Sequence, residues 1–224
     1  MKFSKYEIQM KGKAITVLEP INVPYHLWFA EPVIESRSVL ANAEGFAFMR
    51  DLMLIAAQYK ENNVMYYVPR PRLNEDTPAM AREEIKSWYM IGEFDLDLVM
   101  FNFHYLHIRS KDIKKAIKAS RYLTKTIVGI EPVYADLHVY KERFEHWQLK
   151  NLLHTKSYSK TLIINADRDV LLYLSYQADG FTHLTNDVKH NFDAHSHADD
   201  IGTSVENGLN FFYYFTDHAW KING

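Results

Sequence analysis

A change of hydrophobic period within the first sixty residues limits what this chain can fold into. Tyr6, Ile8 and Met10 recur at every second position up to Lys11-Gly12-Lys13, and Ile15 and Val17 resume the same period beyond it. Period two sends alternate side chains to opposite faces of a strand, so the pattern predicts an opening hairpin with one buried face. Around Ala41 the spacing becomes three and four. Phe46, Met49, Met53, Ala56 and Ala57 then lie along one side of an amphipathic helix that stops at Glu61-Asn62-Asn63. Its stripe has to cover a sheet or another helix.

Further along, Val64 to Val68 predicts a short strand closed by Pro69 and Pro71, and Thr77-Pro78 opens a second helix that Gly92 ends. Glu93 to His104 predicts a strand whose far end turns apolar on both faces, as a central strand would. Ser110 starts a helix running to about Tyr122, and Thr126 to Ile130 is a brief strand. Tyr134 to Leu153 is read as helix on the spacing of Leu137, Tyr140, Phe144 and Trp147, although its first residues also suit a strand. Thr161 to Ile164 and Val170 to Tyr176 are read as the arms of a hairpin, and Leu209 to Phe215 as a buried strand. Hairpins at both ends argue against a purely parallel sheet. The expected fold is a single α+β domain over 1–224, with a mainly antiparallel or mixed sheet packed against three to four amphipathic helices.

Composition narrows the function. Cysteine is absent, which removes disulfides, thiolate catalysis and Cys-based metal centres. The formal charge is -2, too small to draw the whole molecule to nucleic acid or an anionic membrane. No apolar run reaches the roughly 18 residues of a membrane span, and Met1 to Glu7 is too polar for a secretory signal, so cytoplasm is the expected location. Walker, Rossmann and G-x-S-x-G patterns do not occur.

One segment is unusual. Between Thr182 and Gly202 stand His183, Asp187, His190, Asp193, His195, His197, Asp199 and Asp200, with Lys189 the one basic residue besides the histidines. On an extended chain His195 and His197 sit about 6.6 Å apart on one face, close enough to share a divalent ion. Asp193 and Asp199 are about 20 Å apart if the strand is straight, so the set converges only if the chain bends. The string His195-Ser196-His197-Ala198-Asp199-Asp200-Ile201-Gly202 resembles the H-x-H-x-D-H motif of the metallo-β-lactamase superfamily. That resemblance implies His195 and His197 on a first zinc, Asp199 on a second, and a bridging water as nucleophile. It departs from the pattern where Asp200 replaces the last histidine, where Val188 to Phe192 is no apolar strand, and where few residues follow Asp200 to supply the later ligands. The candidate metal ligands are therefore His195, His197, Asp199, His190 and Asp200, with His218 as a further donor, and zinc, nickel or manganese as the ion. A solvated, turn-rich loop explains the same residues without a ligand, and the incomplete donor set favours it.

Two other groups stand out. Arg109, Lys111, Lys114, Lys115, Lys118, Arg121 and Lys125 make a basic stretch with Asp112 alone opposing it, and Arg70 and Arg72 would extend it toward phosphate. Ile113, Ala116 and Ile117 mark an inward face, so the outer face of an amphipathic helix accounts for the charge more simply. Asp95 and Asp97 share a strand face with Glu93, either as a carboxylate pair or as the wet side of an edge strand. His104, His107, His138 and His146 lack the spacing of a helical zinc motif. The leading expectation is a soluble module that binds a protein partner, of the broad kind that immunity and antitoxin proteins represent. A metal-dependent hydrolase at 190–200 is the alternative, and nucleic-acid binding through 109–125 the third.

Overall fold

The computed structural model describes residues 1–10, 12–31, 37–61, 63–69, 95–102, 109–120, 122–134, 153–184, 195–197 and 208–213. The opening hairpin forms as its alternation requires: β1 (Lys2–Met10) pairs antiparallel with β2 (Lys13–Pro20), Tyr6 opposite Val17 and Ile8 opposite Ile15. Gly12 turns the chain at φ 75, where a side chain would be strained. β3 (Leu27–Ala30) and β4 (Arg37–Ala41) follow, then α1 (Ala43–Gln58) and β5 (Val64–Val68). Next come β6 (Asp97–Asn102), α2 (Ser110–Ser120), β7 (Thr126–Gly129), β8 (Leu153–Ser157) and β9 (Thr161–Ala166). The described part ends with α3 (Arg168–Gly180), β10 (His195–His197) and β11 (Leu209–Tyr213).

These strands form two sheets. The larger has the order β7-β1-β2-β5-β6-β9-β8, the smaller β10-β11-β4-β3. Both are mixed: β2 with β5, β6 with β9 and β11 with β4 are parallel, while the other pairs are antiparallel. Strict alternation sorts the larger sheet's side chains into two cores. Phe3, Leu18, Tyr66, Leu98, Met100 and Ile164 face α1, α3 and the smaller sheet. Ile8, Val17, Met65, Val99, Phe101 and Ile163 face Ile113 and Ala116 of α2.

The expected single sheet covered by three to four amphipathic helices is corrected. Strands dominate, in two sheets, with three helices among the described residues. Part of the difference lies in α1, which is buried on nearly every side, from Phe46 and Phe48 through Leu52, Met53, Leu54 and Ile55. A helix apolar all round belongs inside a core rather than on a surface. Another part is Val170 to Tyr176, which is not a hairpin arm but the middle of α3. Asp167, between the two expected arms, is its N-cap and accepts from the Val170 N–H at 2.9 Å. A short run apolar but for Ser175 suits a buried strand and a buried helix equally, and the cap decides between them. The helix expected over Thr77 to Gly92 lies outside the described residues, as does nearly all of 134–153, whose last residue opens β8.

The start of α1 is held closely. Asn42 caps it, its side-chain oxygen accepting from the Gly45 N–H at 3.0 Å, and its own N–H reaches the His26 carbonyl at 3.3 Å. A Cβ on Gly45 would lie 2.6 Å from that carbonyl oxygen and 2.7 Å from the Ala41 Cβ. Gly45→Ala will therefore destabilise the fold, the overpacking of about 1–3 kcal/mol outweighing the gain of about 0.5–1 kcal/mol from alanine's helix propensity. Urea unfolding of the two proteins checks this, and an unchanged or raised midpoint would contradict the close approach.

Candidate functional site

The histidine-rich segment is only partly described. His195 and His197 occupy alternate positions of β10, opposite Phe212 and Asn210 of β11. His195 is exposed and its ring stacks on Phe212 at 5.9 Å, while the Ser196 hydroxyl donates to Gln177 Oε1 at 2.6 Å and docks the strand on α3. Two of the expected ligands thus stand on a paired strand rather than in a solvated loop. His190, Asp193, Asp199, Asp200 and His218 lie outside the described residues. Among the described residues no three His, Asp or Glu side chains come together as a metal would need.

Asp95, Asp97 and part of the basic stretch make contacts within the fold. β6 lies between β5 and β9, so the edge-strand reading of Asp95 and Asp97 is corrected. Tyr67 donates to Asp97 at 3.1 Å, and Lys160 reaches Asp95 at 3.1 Å. Burial, with the Asp97 charge beside it, pushes the Tyr67 hydroxyl above its ordinary range. On α2, Ile113 and Ala116 are buried and Lys111, Lys114, Lys115 and Lys118 exposed. Several cations at this end of the molecule are engaged: Arg109 with Asp112, Lys114 with the Ser159 carbonyl, Lys125 with Glu19.

A different place carries the marks of a binding surface. β7 ends the larger sheet, held by β1 in the register Lys2 to Gly129 through Lys5 to Thr126. The phase of that ladder follows from its end. Met1 and Ile130 exchange both backbone bonds, at 2.7 and 2.9 Å, and the Ile21 N–H reaches Lys2 O at 3.0 Å on the far side of β1. Antiparallel ladders alternate, so Val128 and Thr126 face β1 while the N–H and C=O of Ile127 and Gly129 point outward. Among the described residues no strand pairs with that outer edge. The opposite end strand, β8, bears exposed His154 and Lys156, charge that discourages edge pairing. β7 lacks such a guard: no charge interrupts Thr126 to Ile130, and Ile127 is 72% exposed.

Beside the edge lies a cleft of about 390 Å³ between the end of α1 and the residues after β7, lined by Ile55, Gln58, Tyr59, Ile130 and Val133 among others. Its far wall is fixed by Gln58, whose amide donates to Val133 O at 2.7 Å and accepts from Val133 N–H at 3.1 Å, imitating a strand neighbour. Arg50 anchors the next residue: it donates to Asp51 at 2.9 Å and Asp179 at 2.8 Å, and packs 5.0 Å from the Tyr134 ring. On the near wall Lys5 donates to both Glu61 oxygens, at 2.8 and 3.0 Å, and Tyr59 donates to the first at 3.0 Å. The Lys5 hydrogen bond holds the Glu61 carboxyl below its ordinary 4.5. The stability it confers is thus present above that pH and lost as pH falls below it. Glu61→Gln will remove that part of the acid sensitivity. Because the pair is half-exposed the difference will be at most about 1 kcal/mol, read as a smaller drop in urea midpoint between neutral buffer and buffer well below pH 4.5. An acid loss in the variant equal to that of the parent would show the pair to be idle.

Sequence reasoning found β7 as a strand but not as an end strand, because strand order depends on pairings more than a hundred residues apart. Comparison with protein-family models, with curated proteins and with solved structures gives no match, and the metallo-β-lactamase likeness gains no support from them.

Proposed function

We propose that this chain is a protein-binding module, working in the cytoplasm, whose contact region is the outer edge of β7 and the cleft next to it. The observation that carries the reading is the outward phase of Ile127 and Gly129 on an unguarded end strand. An added strand gains affinity from main-chain hydrogen bonds and specificity from pockets for alternate side chains, and the cleft is of a size to take one or two of them. An immunity- or antitoxin-like inhibitor is the narrower form of this reading, in which pairing along β7 masks part of the partner.

Selection of linear peptides displayed on phage tests it. Recovered peptides with alternating apolar residues, whose binding is lost in Ile127→Pro and kept in a substitution of exposed Lys156, would support the edge as the site. Peptides that bind Ile127→Pro as well as the parent would sink it.

A second reading keeps a divalent metal at 190–200, favoured by the alternate placement of His195 and His197 on β10. It requires about one equivalent of zinc, nickel or manganese in protein purified without an affinity tag. Traces alone would remove it.

A further inference from the structure

We propose that the occupant of the β7 edge is a second copy of this chain, paired antiparallel about a two-fold axis through Val128. The inference rests on the reading of β7 as a binding edge and goes on to name the partner. A two-fold at Val128 sets Ile127 opposite the second copy's Gly129 and Lys125 opposite its Glu131.

Three observations converge on that axis. Both outward-facing residues of β7 then meet outward-facing residues, so Ile127 and Gly129 of each copy exchange bonds and about four new main-chain hydrogen bonds form. Gly129 also gains a reason. Among the described residues a Cβ there would meet nothing within 4 Å, and its φ is not in the left-handed region, so neither crowding by those residues nor backbone strain calls for glycine. Glycine inside a strand weakens it, and often marks the close approach of another chain. The exposed Ile127 side chain fills the missing volume from across the joint. Charge is compatible with the joint: Lys125, which bonds Glu19 in its own chain at 2.7 Å, and the 90% exposed Glu131, 3.9 Å from the Met1 amino group, flank five uncharged residues and bring opposite signs to the same level.

The ends of the joint are matched too. Tyr122 and Leu123 precede β7, Val133 and Tyr134 follow it, and all four are exposed. The same axis sets the residues that precede β7 in one copy on the same side as those that follow it in the other, so large apolar side chains unsuited to open solvent lie near both ends of the pairing. An isologous two-fold contact of this kind closes on itself, and the edges left at the two outer ends are the β8 strands with their exposed Lys156.

Sedimentation velocity of the full chain over a range of concentrations decides the matter, alongside circular dichroism to confirm folding. The expected result is a monomer–dimer equilibrium whose dissociation constant rises at least about tenfold in Ile127→Pro, and likewise in Gly129→Val and Glu131→Lys, with each variant still folded. A parent that stays monomeric at every concentration overturns the proposal, as does a dimer that all three variants keep. The peptide selection separates the two claims. A monomeric parent that still binds peptides at Ile127 overturns self-pairing and leaves the binding edge standing, while failure of both experiments removes both.

Discussion

Phe46→Ala will cost about 3–5 kcal/mol, as large a loss as truncating a buried side chain brings. Phe46 is fully buried in the first turn of α1, and its ring meets three others: Phe181 just past α3 at 4.5 Å, Phe211 at 5.7 Å and Tyr213 at 6.4 Å. Phe181 belongs to the helix side of the main core and Phe211 and Tyr213 to the smaller sheet, so this side chain joins layers that sequence places far apart. Removing it takes away the transfer free energy of a whole ring and leaves a hole that α1 cannot close, because Asn42 and Gly45 pin its N-terminus. Urea unfolding measures the loss. Phe46→Leu will recover most of it, since leucine keeps apolar volume where stacking is lost. A loss below about 1 kcal/mol in the alanine variant would mean that the smaller sheet docks through other contacts.

The elements legible in the sequence are those whose signal is local. Tyr6, Ile8 and Met10 with Gly12 specified the β1–β2 hairpin, Phe46, Met49 and Met53 at helical spacing the helix α1, and Ser110 with Ile113 and Ala116 the basic helix. Leu209 to Tyr213 is buried as its aromatic content requires. Where the signal was ambiguous, a single side chain decided: Asp167 turned Val170 to Tyr176 from hairpin arm into helix. Burial also decided the character of α1. A stripe counted at three- and four-residue spacing cannot show that the opposite face is covered as well.

The candidate site was hardest to see because it depends on order within the sheet. Thr126 to Gly129 pairs with Lys2 to Lys5, and nothing in either segment says that no further strand lies beyond among the described residues. Asp95 and Asp97 show the same blindness in reverse, since alternation put them on one face but could not tell a central strand from an edge one. The near-symmetric run from Tyr122 to Tyr134 was open to inspection in the sequence, yet it acquires meaning only once β7 is known to end the sheet. The histidine cluster, by contrast, was conspicuous in composition and yields two positions on a paired strand.

The ladder phase on which the site depends makes a sharp pair of expectations at neighbouring residues. Val128→Pro will destabilise the chain by about 3 kcal/mol, because the ring removes an inward N–H that bonds β1 and intrudes on the strand beside it. Val128 also packs against the main core next to Phe3, so detaching β7 exposes apolar surface on both strands. Ile127→Pro takes away an outward N–H in the same short strand, and Thr126 before it is already extended as proline prefers. Its cost to the monomer will be within about 0.5 kcal/mol, since proline is tolerated where the N–H faces away from the sheet. Both are read by urea unfolding at high dilution, where association does not contribute. Equal losses would show that the phase of β7 is not the one set by Met1 and Ile130. Reversed losses would place Ile127 against β1 and aim Val128 outward, and the binding edge would then have to be rebuilt around the other pair of residues.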